Sequence, residues 1–229
     1  MDKNAARAIA LERLKARSKA LCAAQSAKTR RTLQKLLNTL VFKSVLIYLP
    51  LWFEADLRAL FRLLRRRAKL YAPYIENVSF KMVAYRLPLD RRSLGVLAPA
   101  NSLREVKKAD LLIVPAVAVD ADFKRVGLGK GMYDRFAGKL VKKPIVIFVQ
   151  PFFLGAPRVS DAFDLEGDYL VGGDKAICKM GDRYGRRTYR RGVNFGRNMR
   201  VSRLVYNAQG QYVAAHSANR TGESQSKGD

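Results

Sequence analysis

Short apolar runs alternate with segments of helical periodicity along the first two thirds of the chain. Leu111–Val119, bounded by two aspartates, is typical of a strand buried on both faces of a parallel sheet. The same reasoning predicts further strands over Val45–Leu49, Lys69–Ala72, Val78–Tyr85 and Pro144–Val149. Apolar residues at helical spacing predict helices over Asn4–Leu21, Lys28–Leu40, Leu57–Leu64 and Met132–Leu140. The alternation predicts an α/β fold: an open, mostly parallel sheet with helices on both faces and the ligand beyond the carboxyl ends of its strands.

This pattern stops near residue 174. Residues 175–229 hold 12 Lys and Arg against 3 Asp and Glu, and arginines there alternate with Tyr184, Tyr189, Phe195 and Tyr206. Such interleaving can grip single-stranded nucleic acid without sequence preference, and a solvated, flexible extension is the other interpretation. We therefore expect an α/β domain over residues 1–174 and a basic, flexible C-terminal extension over 175–229, through which nucleic acid can bind.

Composition narrows the possible functions. The net charge of +25 indicates polyanionic partners such as nucleotides, nucleic acid or polyglutamylated substrates. His216 is the only histidine and lies in the polar C-terminal segment, which excludes a Ser-His-Asp triad or a multi-histidine metal site in the core. Two distant cysteines, Cys22 and Cys178, suit a reducing cytoplasm. No apolar run approaches the ~18 residues of a membrane span, and no signal peptide is recognisable, so we expect no membrane partner.

A basic, glycine-rich loop follows the strand at 111–119. Lys130 lies within it and Arg125 just upstream, and its glycines are Gly127, Gly129 and Gly131. Glycines let backbone N–H groups approach an anion, and a following helix adds its positive end. The spacing fits neither a Walker A loop nor the dinucleotide fingerprint. Spacing alone predicts an anion-binding loop, although a glycine-rich turn can also serve close packing only.

The segment Arg125–Asp134, RVGLGKGMYD, resembles the signature R-x-G-x-G-[GK]-G-Y-Y-D of the 5-formyltetrahydrofolate cyclo-ligases, also called 5,10-methenyltetrahydrofolate synthetases. Met132 stands where the family usually has Tyr. The resemblance extends from about Lys3 to about Asp168 and does not cover the C-terminal extension.

The resemblance implies an ATP site. The family begins with a K-x-x-x-R pair on its first helix, associated with ATP phosphates, and Lys3 and Arg7 match it. By spacing alone these residues are also compatible with a solvated charge pair. The resemblance implies catalytic roles for Lys130 and Arg125. The implied ATP-binding residues are Lys3, Asn4, Ala5, Ala6, Arg7, Arg125, Val126, Gly127, Leu128, Gly129, Lys130, Gly131, Met132 and Tyr133.

Folate contacts are implied by a second segment, which in the family reads Y-L-P-L-x-x-E-x-D-T. Leu49 and Glu54 match its substrate-contacting positions, whereas Leu57 replaces the usual Thr. Trp52 and Tyr133 are added as candidate folate contacts, Trp52 from its chemistry and position only. A covering loop over the core is the alternative for the segment around Trp52.

Metal binding is implied at two carboxylates, Asp134 and Asp168. Asp134 ends the glycine signature, and Asp168 matches the second acid of the family's H-D-x-x-x-D-x-[IV] segment. Both would hold Mg²⁺, directly or through water. The segment Pro88–Asn101 is predicted as a loop, and within it Ala98 replaces an acidic residue that the family usually carries in a G-I-x-E-P segment.

By resemblance, the reaction is the ATP-dependent cyclisation of 5-formyltetrahydrofolate, with or without a polyglutamate tail, to 5,10-methenyltetrahydrofolate, with ADP and phosphate released. ATP would phosphorylate the formyl oxygen before N10 attacks the activated carbon. Such chemistry needs positioning and charge neutralisation rather than a histidine. The competing hypothesis, favoured by composition, is a basic RNA-binding or ribosome-associated protein without enzymatic activity.

Overall fold

The computed structural model describes residues 1–91, 97–99 and 105–179, and two short strands beyond them. Its helices are α1 (Lys3–Lys15), α2 (Lys19–Leu37), α3 (Phe61–Arg67) and α4 (Met132–Ala137), with a 3₁₀ turn at Arg58–Leu60. The strands up to residue 120 are β1 (Ser44–Ile47), β2 (Lys69–Glu76), β3 (Ser79–Ala84), β4 (Leu89–Arg91), β5 (Leu97–Pro99), β6 (Leu111–Pro115) and β7 (Ala118–Asp120). The later strands are β8 (Arg125–Val126), β9 (Ile145–Gln150), β10 (Gly155–Ala156), β11 (Tyr169–Gly172), β12 (Lys175–Cys178), β13 (Arg203–Tyr206) and β14 (Tyr212–Ala215).

A seven-stranded sheet organises the molecule, in the order β12-β11-β9-β6-β1-β2-β3. The five central strands are parallel, and an antiparallel strand closes each edge. A small sheet of order β10-β7-β8 adjoins the carboxyl ends of the central strands. The predicted open, mostly parallel sheet is confirmed.

Both faces of this sheet are covered. Along β1, Val45 and Ile47 pack into one core while Leu46 packs into the other, as alternation in a strand requires. The first core includes leucines and phenylalanine from α2 and α3, and the second includes Phe136 of α4. Helices therefore lie on both faces, also as predicted.

The chain breaks between α1 and α2 at a place that leucine spacing does not reveal. One helix was predicted over Asn4–Leu21, but Ser18 caps α2 by accepting a hydrogen bond from the Leu21 amide. Leu21 is 39% exposed, and the first turns of α2 bury Cys22 and Ser26 instead. The prediction missed the start of α2 because its inner face is small and polar there.

Two other segments differ from expectation. The apolar run at 111–119 is not one strand, because β6 ends at Pro115 and β7 pairs in the small sheet. The segment Pro88–Asn101, predicted as a loop, contains the antiparallel pair of β4 and β5. The burial of this apolar run was therefore predicted correctly. The passage of the chain from the large sheet at β6 to the small sheet at β7 was not predicted.

The predicted domain boundary at residue 174 falls inside a hairpin. Strand β12 pairs with β11 and buries Ala176 and Ile177, so the α/β unit continues to Lys179. In the expected flexible extension, β13 and β14 form an antiparallel pair. The arginine and aromatic interleaving at 183–197 lies outside the described residues. The polar composition after 174 concealed a four-residue edge strand.

Among the helices of the described residues, none combines the length and the apolar character that crossing a membrane requires.

We predict that a chain ending at Lys179 folds, whereas one ending at Asp174 is destabilised. The shorter chain loses β12, and burial of Ile177 alone is worth ~1.5–3 kcal/mol. Thermal unfolding of both chains beside the full-length protein measures the difference. Equal melting temperatures for the two truncated chains would show that β12 contributes nothing.

Candidate active site

A pocket of about 440 Å³ lies beside the carboxyl ends of the parallel strands, where the first turns of α1 meet the glycine loop. This is the position at which open α/β sheets bind ligands. Basic and acidic side chains face each other across it. Its lining consists of Lys3, Arg7, Arg125, Gly127, Gly129, Gly131, Asp134, Arg135, Phe163 and Asp164.

Arg125 is the central cation of this pocket. Strand β8 delivers it, and its side chain is almost wholly buried, with the residue 6% exposed. Its Nη2 donates to Asp134 Oδ2 at 3.0 Å, and its guanidinium lies 5.1 Å from the centre of the Tyr133 ring. Its Nε has no hydrogen-bond partner among the described residues. A buried donor left unpaired is unfavourable, so this geometry suits an anion that enters the pocket.

Guanidinium groups lie close to the backbone of the glycine loop. A Cβ at Gly127 would collide with the guanidinium of Arg125, and Gly129 has a φ of +92°, which side chains rarely adopt. Gly127 turns its carbonyl oxygen to Arg7, which donates from Nε at 2.8 Å. The glycines therefore let two guanidinium groups approach the backbone closely.

The first turns of α1 bring the predicted K-x-x-x-R pair into the pocket. Lys3 forms an ion pair with Asp164 and lies 3.4 Å from Asp161, while Arg7 binds the loop. Neither residue is a merely solvated charge. Asn4 accepts a hydrogen bond from Arg7, and Ala6 is buried against the small sheet. The structure thus brings both ends of the predicted phosphate site together.

The remaining predicted ATP-binding residues surround the loop. Leu128 and Lys130 are exposed, and Lys130 forms no ion pair within the described residues. Ala5 is exposed on α1, Val126 is buried and Met132 is half-buried. Lys130 is therefore a free cation beside the pocket rather than part of its lining.

The carboxylates are distributed differently from the prediction. Asp134 accepts from Arg125 with one oxygen and from the Leu165 amide, at 3.0 Å, with the other. Asp168 precedes β11, where it accepts from the Val146 amide at 2.8 Å, and it does not line the pocket. Burial raises the pKa of Asp168. Asp164, four residues earlier, lies in the pocket instead.

Two of the predicted folate contacts, Tyr133 and Glu54, lie near Arg125. Leu49 is buried, Tyr133 is half-buried with its ring 4.9 Å from that of Phe80, and Trp52 is 54% exposed. Trp52 and Glu54 line a second cavity of about 310 Å³ between the first turns of α2 and the segment after β1. Leu49 and Tyr133 thus share one hydrophobic core, and Trp52 and Glu54 share one cavity.

Glu54 has an unusual electrostatic environment. Burial raises the pKa of its carboxyl to about 7, although a hydrogen bond from the Leu51 amide and the charge of Arg125 both lower that pKa. Burial also raises the pKa of Tyr48 and of Tyr133, and the negative charge of Glu54 adds to both shifts. A carboxyl group with a pKa near neutrality can exchange a proton with a bound ligand.

Two residues of this neighbourhood were not predicted. Asp164 lies four residues before Asp168 in the segment that resembles H-D-x-x-x-D-x-[IV], and this i, i+4 spacing alone does not decide which carboxylate faces the pocket. Tyr48, whose hydroxyl donates to the Ala55 carbonyl at 2.6 Å, fixes the segment that carries Glu54. The apolar run around Tyr48 gave no signal of this role.

Fold and site together define an α/β protein with a glycine-lined pocket of basic and acidic side chains at the carboxyl ends of its sheet. The model of the 5-formyltetrahydrofolate cyclo-ligase family matches residues 1–148, about two thirds of the chain. The chain belongs to this family and is therefore a ligase of folate one-carbon metabolism. Membership in a family of enzymes argues against the alternative of a non-enzymatic RNA-binding protein.

Solved structures agree with this assignment. The 5,10-methenyltetrahydrofolate synthetase of Aquifex aeolicus is 26% identical, with a TM-score of 0.66 over 82% of this chain and 100% of the other. The corresponding synthetase of Mycoplasma pneumoniae is 22% identical, with a TM-score of 0.63 over 76% of this chain and 100% of the other, and it supports the fold. No curated protein sequence matches the chain significantly.

We predict that Glu54 makes stability depend on pH. Its folded pKa of about 7 exceeds the ordinary value of 4.5, so the folded state holds the proton more tightly. The stabilisation that the Glu54 proton adds to the folded state is complete below pH 4.5. It decreases as the pH rises through about 7 and is absent at higher pH. The loss should be roughly 3 kcal/mol and absent in Glu54→Gln. Denaturant unfolding across this range tests it; the same decline in both proteins would exclude Glu54 as its source.

Proposed function

We propose that the protein catalyses the ATP-dependent cyclisation of 5-formyltetrahydrofolate to 5,10-methenyltetrahydrofolate, with release of ADP and phosphate. The observation that carries the proposal is the position of Arg125. This buried guanidinium, with an unpaired Nε, lies between the cationic pocket and the neighbourhood of Glu54 and Tyr133. The charge of Arg125 can therefore act both on an ATP phosphate and on the formyl oxygen that accepts it.

The chemistry follows from the weakness of the formyl oxygen as a leaving group. That oxygen attacks the terminal phosphorus of ATP, and the bond to ADP breaks. N10 then attacks the activated carbon, and the carbon–oxygen bond breaks as phosphate departs. Both steps concentrate negative charge on phosphate oxygens, so catalysis consists mainly of positioning and charge neutralisation.

In this proposal, the triphosphate lies in the pocket of about 440 Å³. Lys3 and Arg7 approach it from α1, Arg125 from β8 and Lys130 from the loop. Backbone N–H groups of Gly127–Gly131 supply further donors, as in other anion-binding loops. Arg125 and Lys130 neutralise the charge that develops during phosphoryl transfer. The flanking residues Asn4–Ala6, Val126, Leu128, Met132 and Tyr133 shape this site.

Mg²⁺ is proposed to accompany ATP. A magnesium ion in a nucleotide site uses one or two carboxylates, with phosphates and water completing its shell. Asp134 and Asp164 both line the pocket, so the donor set fits, and the absence of a cluster of three or more His, Cys, Asp or Glu among the described residues does not oppose it. Asp164 replaces Asp168 in this role because Asp168 lies outside the pocket. The ion would offset the charge of the phosphates.

Leu49, Trp52, Glu54 and Tyr133 are proposed to face the folate. Trp52 offers an exposed aromatic surface, and Leu49 offers a buried apolar one. Glu54 can accept or donate a proton near neutral pH. A cytoplasmic setting is proposed as well, since Cys22 and Cys178 are unpaired thiols.

The direct test is the reaction itself. Full-length protein mixed with Mg-ATP and 5-formyltetrahydrofolate should generate the absorbance of the conjugated methenyl product. Product should fail to form when ATP is omitted or replaced by a non-hydrolysable analogue. Folded protein that gives no product with all components present would reject the proposal.

The charge of Lys130 can be tested separately from the rest of the glycine loop. Lys130→Ala should lower turnover on the order of 100-fold, because it removes a cation from the transferring phosphate. Its melting temperature should hardly change, since the Lys130 side chain is exposed. The matched control is Lys139→Ala, an exposed lysine that does not line the pocket. Equal turnover in both variants would remove Lys130 from the site.

A further variant, Asp134→Asn, tests the proposed magnesium ligand. It abolishes the ion pair with Arg125 and replaces a proposed carboxylate ligand of magnesium by a neutral amide, so turnover should fall and the Mg²⁺ concentration needed for half-maximal rate should rise. Folate should still bind. Lost turnover with an unchanged Mg²⁺ requirement would leave Asp134 as the partner of Arg125 only.

A further inference from the structure

A cationic surface lies at the opposite end of the sheet from the active site. Lys43 immediately precedes β1, Lys69 begins β2, and α3 ends where β2 begins. Ser44 and Lys69 pair in register, so these basic residues share the amino ends of the strands. We call this surface the amino-end rim; its members are Lys43, Arg62, Arg65, Arg66 and Lys69.

The charge of the rim is not neutralised. All five members are exposed, and none forms an ion pair with a carboxylate in the part of the chain that the structure describes. Arg67 differs, because it donates to Asn38 and to the Leu40 carbonyl and covers the Phe42 ring. The dipole of α3 favours arginines in its last turn, but it does not explain Lys43 and Lys69, which lie outside that helix.

The cationic character continues along the same end of the sheet. Lys107 and Lys108 precede β6, and Lys142 and Lys143 precede β9. Of these, Lys107 pairs with Glu105 and Lys143 with Glu166, and the Asp110 carboxylate at the same edge accepts from the Lys43 amide. By the strand register, Lys43 and Lys143 lie level on either side of β6. Neighbouring strands are ~4.8 Å apart, so lysines from β2 to β9 span about 15 Å. That distance accommodates a few consecutive phosphates of an extended strand.

The rim carries shallow, open depressions rather than an enclosed cleft. Two adjoining cavities, of about 460 and 590 Å³, are both lined by Arg65, Arg66 and Tyr85. The Tyr85 ring is half-buried and meets Phe61 edge to face at 5.0 Å, so one aromatic wall is held in place between the arginines. Cations on a groove with an aromatic wall are the elements that bind single-stranded nucleic acid.

We propose that the amino-end rim binds a single-stranded nucleic acid, with Lys43, Arg65 and Arg66 on successive phosphates and a base against Tyr85. The surface does not include any residue of the active-site pocket, so the inference stands apart from the proposed reaction. Leu63 and Leu87 are exposed nearby, which makes an anionic membrane the partner to be distinguished by experiment.

The test uses the full-length protein and a fluorescent oligouridylate of about 12 nucleotides, with binding measured by anisotropy between roughly 50 and 200 mM salt. The rim variant combines Lys43→Gln, Arg65→Gln and Arg66→Gln. Each lost phosphate contact lowers the salt slope by ~0.7, so the slope should fall by about 2 and the affinity near 0.1 M salt by roughly 100-fold. The control variant combines Arg13→Gln, Lys28→Gln and Arg31→Gln, three exposed or half-buried cations on α1 and α2, and should keep the slope.

Tyr85→Leu tests the base contact. It should weaken oligouridylate binding at least about fivefold at an unchanged salt slope, and leave the binding of duplex RNA unaltered. Melting curves and turnover of every variant report folding, because none of these residues lines the active-site pocket. If the triple rim variant fails to fold, Arg65→Gln and Arg66→Gln singly should each lower the slope by ~0.7.

Three results would overturn the proposal. Equal losses in the rim and control variants would mean that net charge alone attracts the oligonucleotide. No loss in either would place binding elsewhere in the chain. Intact oligouridylate binding, with lost binding to phosphatidylserine vesicles in the rim variant, would assign the rim to a membrane surface.

Discussion

The ion pair between Arg125 and Asp134 supports both parts of the active site. Arg125 is almost wholly buried, so its charge would be strongly unfavourable without a carboxylate. Asp134 also holds the Leu165 amide, which fixes the segment that carries Asp164 into the pocket. On its other side, the charge of Arg125 lowers the pKa that burial raises at Glu54. The proposed phosphate pocket and the proposed folate contacts Glu54 and Tyr133 therefore share one buried charge pair.

The separation of the sheet into two chemically different ends follows from its parallel strands. All carboxyl ends meet at one edge, where loops turn inward and bring carboxylates and guanidinium groups together. All amino ends meet at the other, where Lys43, Lys69 and the last turn of α3 project into solvent. Lys3 and Arg125 of the pocket are thus paired with carboxylates, whereas Lys43 and Lys69 form no ion pair in the part of the chain that the structure describes.

Strands and the local signature could be predicted from sequence because their signals are contained in consecutive residues. The apolar run at Val45–Leu49 predicts a strand, and the signature Arg125–Asp134 predicts a glycine loop, without reference to distant residues. The start of α2 could not be predicted, because Cys22 and Ser26 are buried only once the sheet lies beneath them. Asp164 was missed for a similar reason, since the path of the chain before β11 decides which carboxylate enters the pocket.

The pairing of Lys3 with Asp164 joins positions 161 residues apart, and this sets the order in which the protein can be built. During synthesis, α1 leaves the ribosome long before its partner. Until then its inner face, Ala6, Ala10 and Leu14, has no strand β7, β8 or β10 to cover it. Contacts between residues so far apart in sequence form late, after the sheet has folded. The pocket at the glycine loop is thus among the last features of the nascent chain to form.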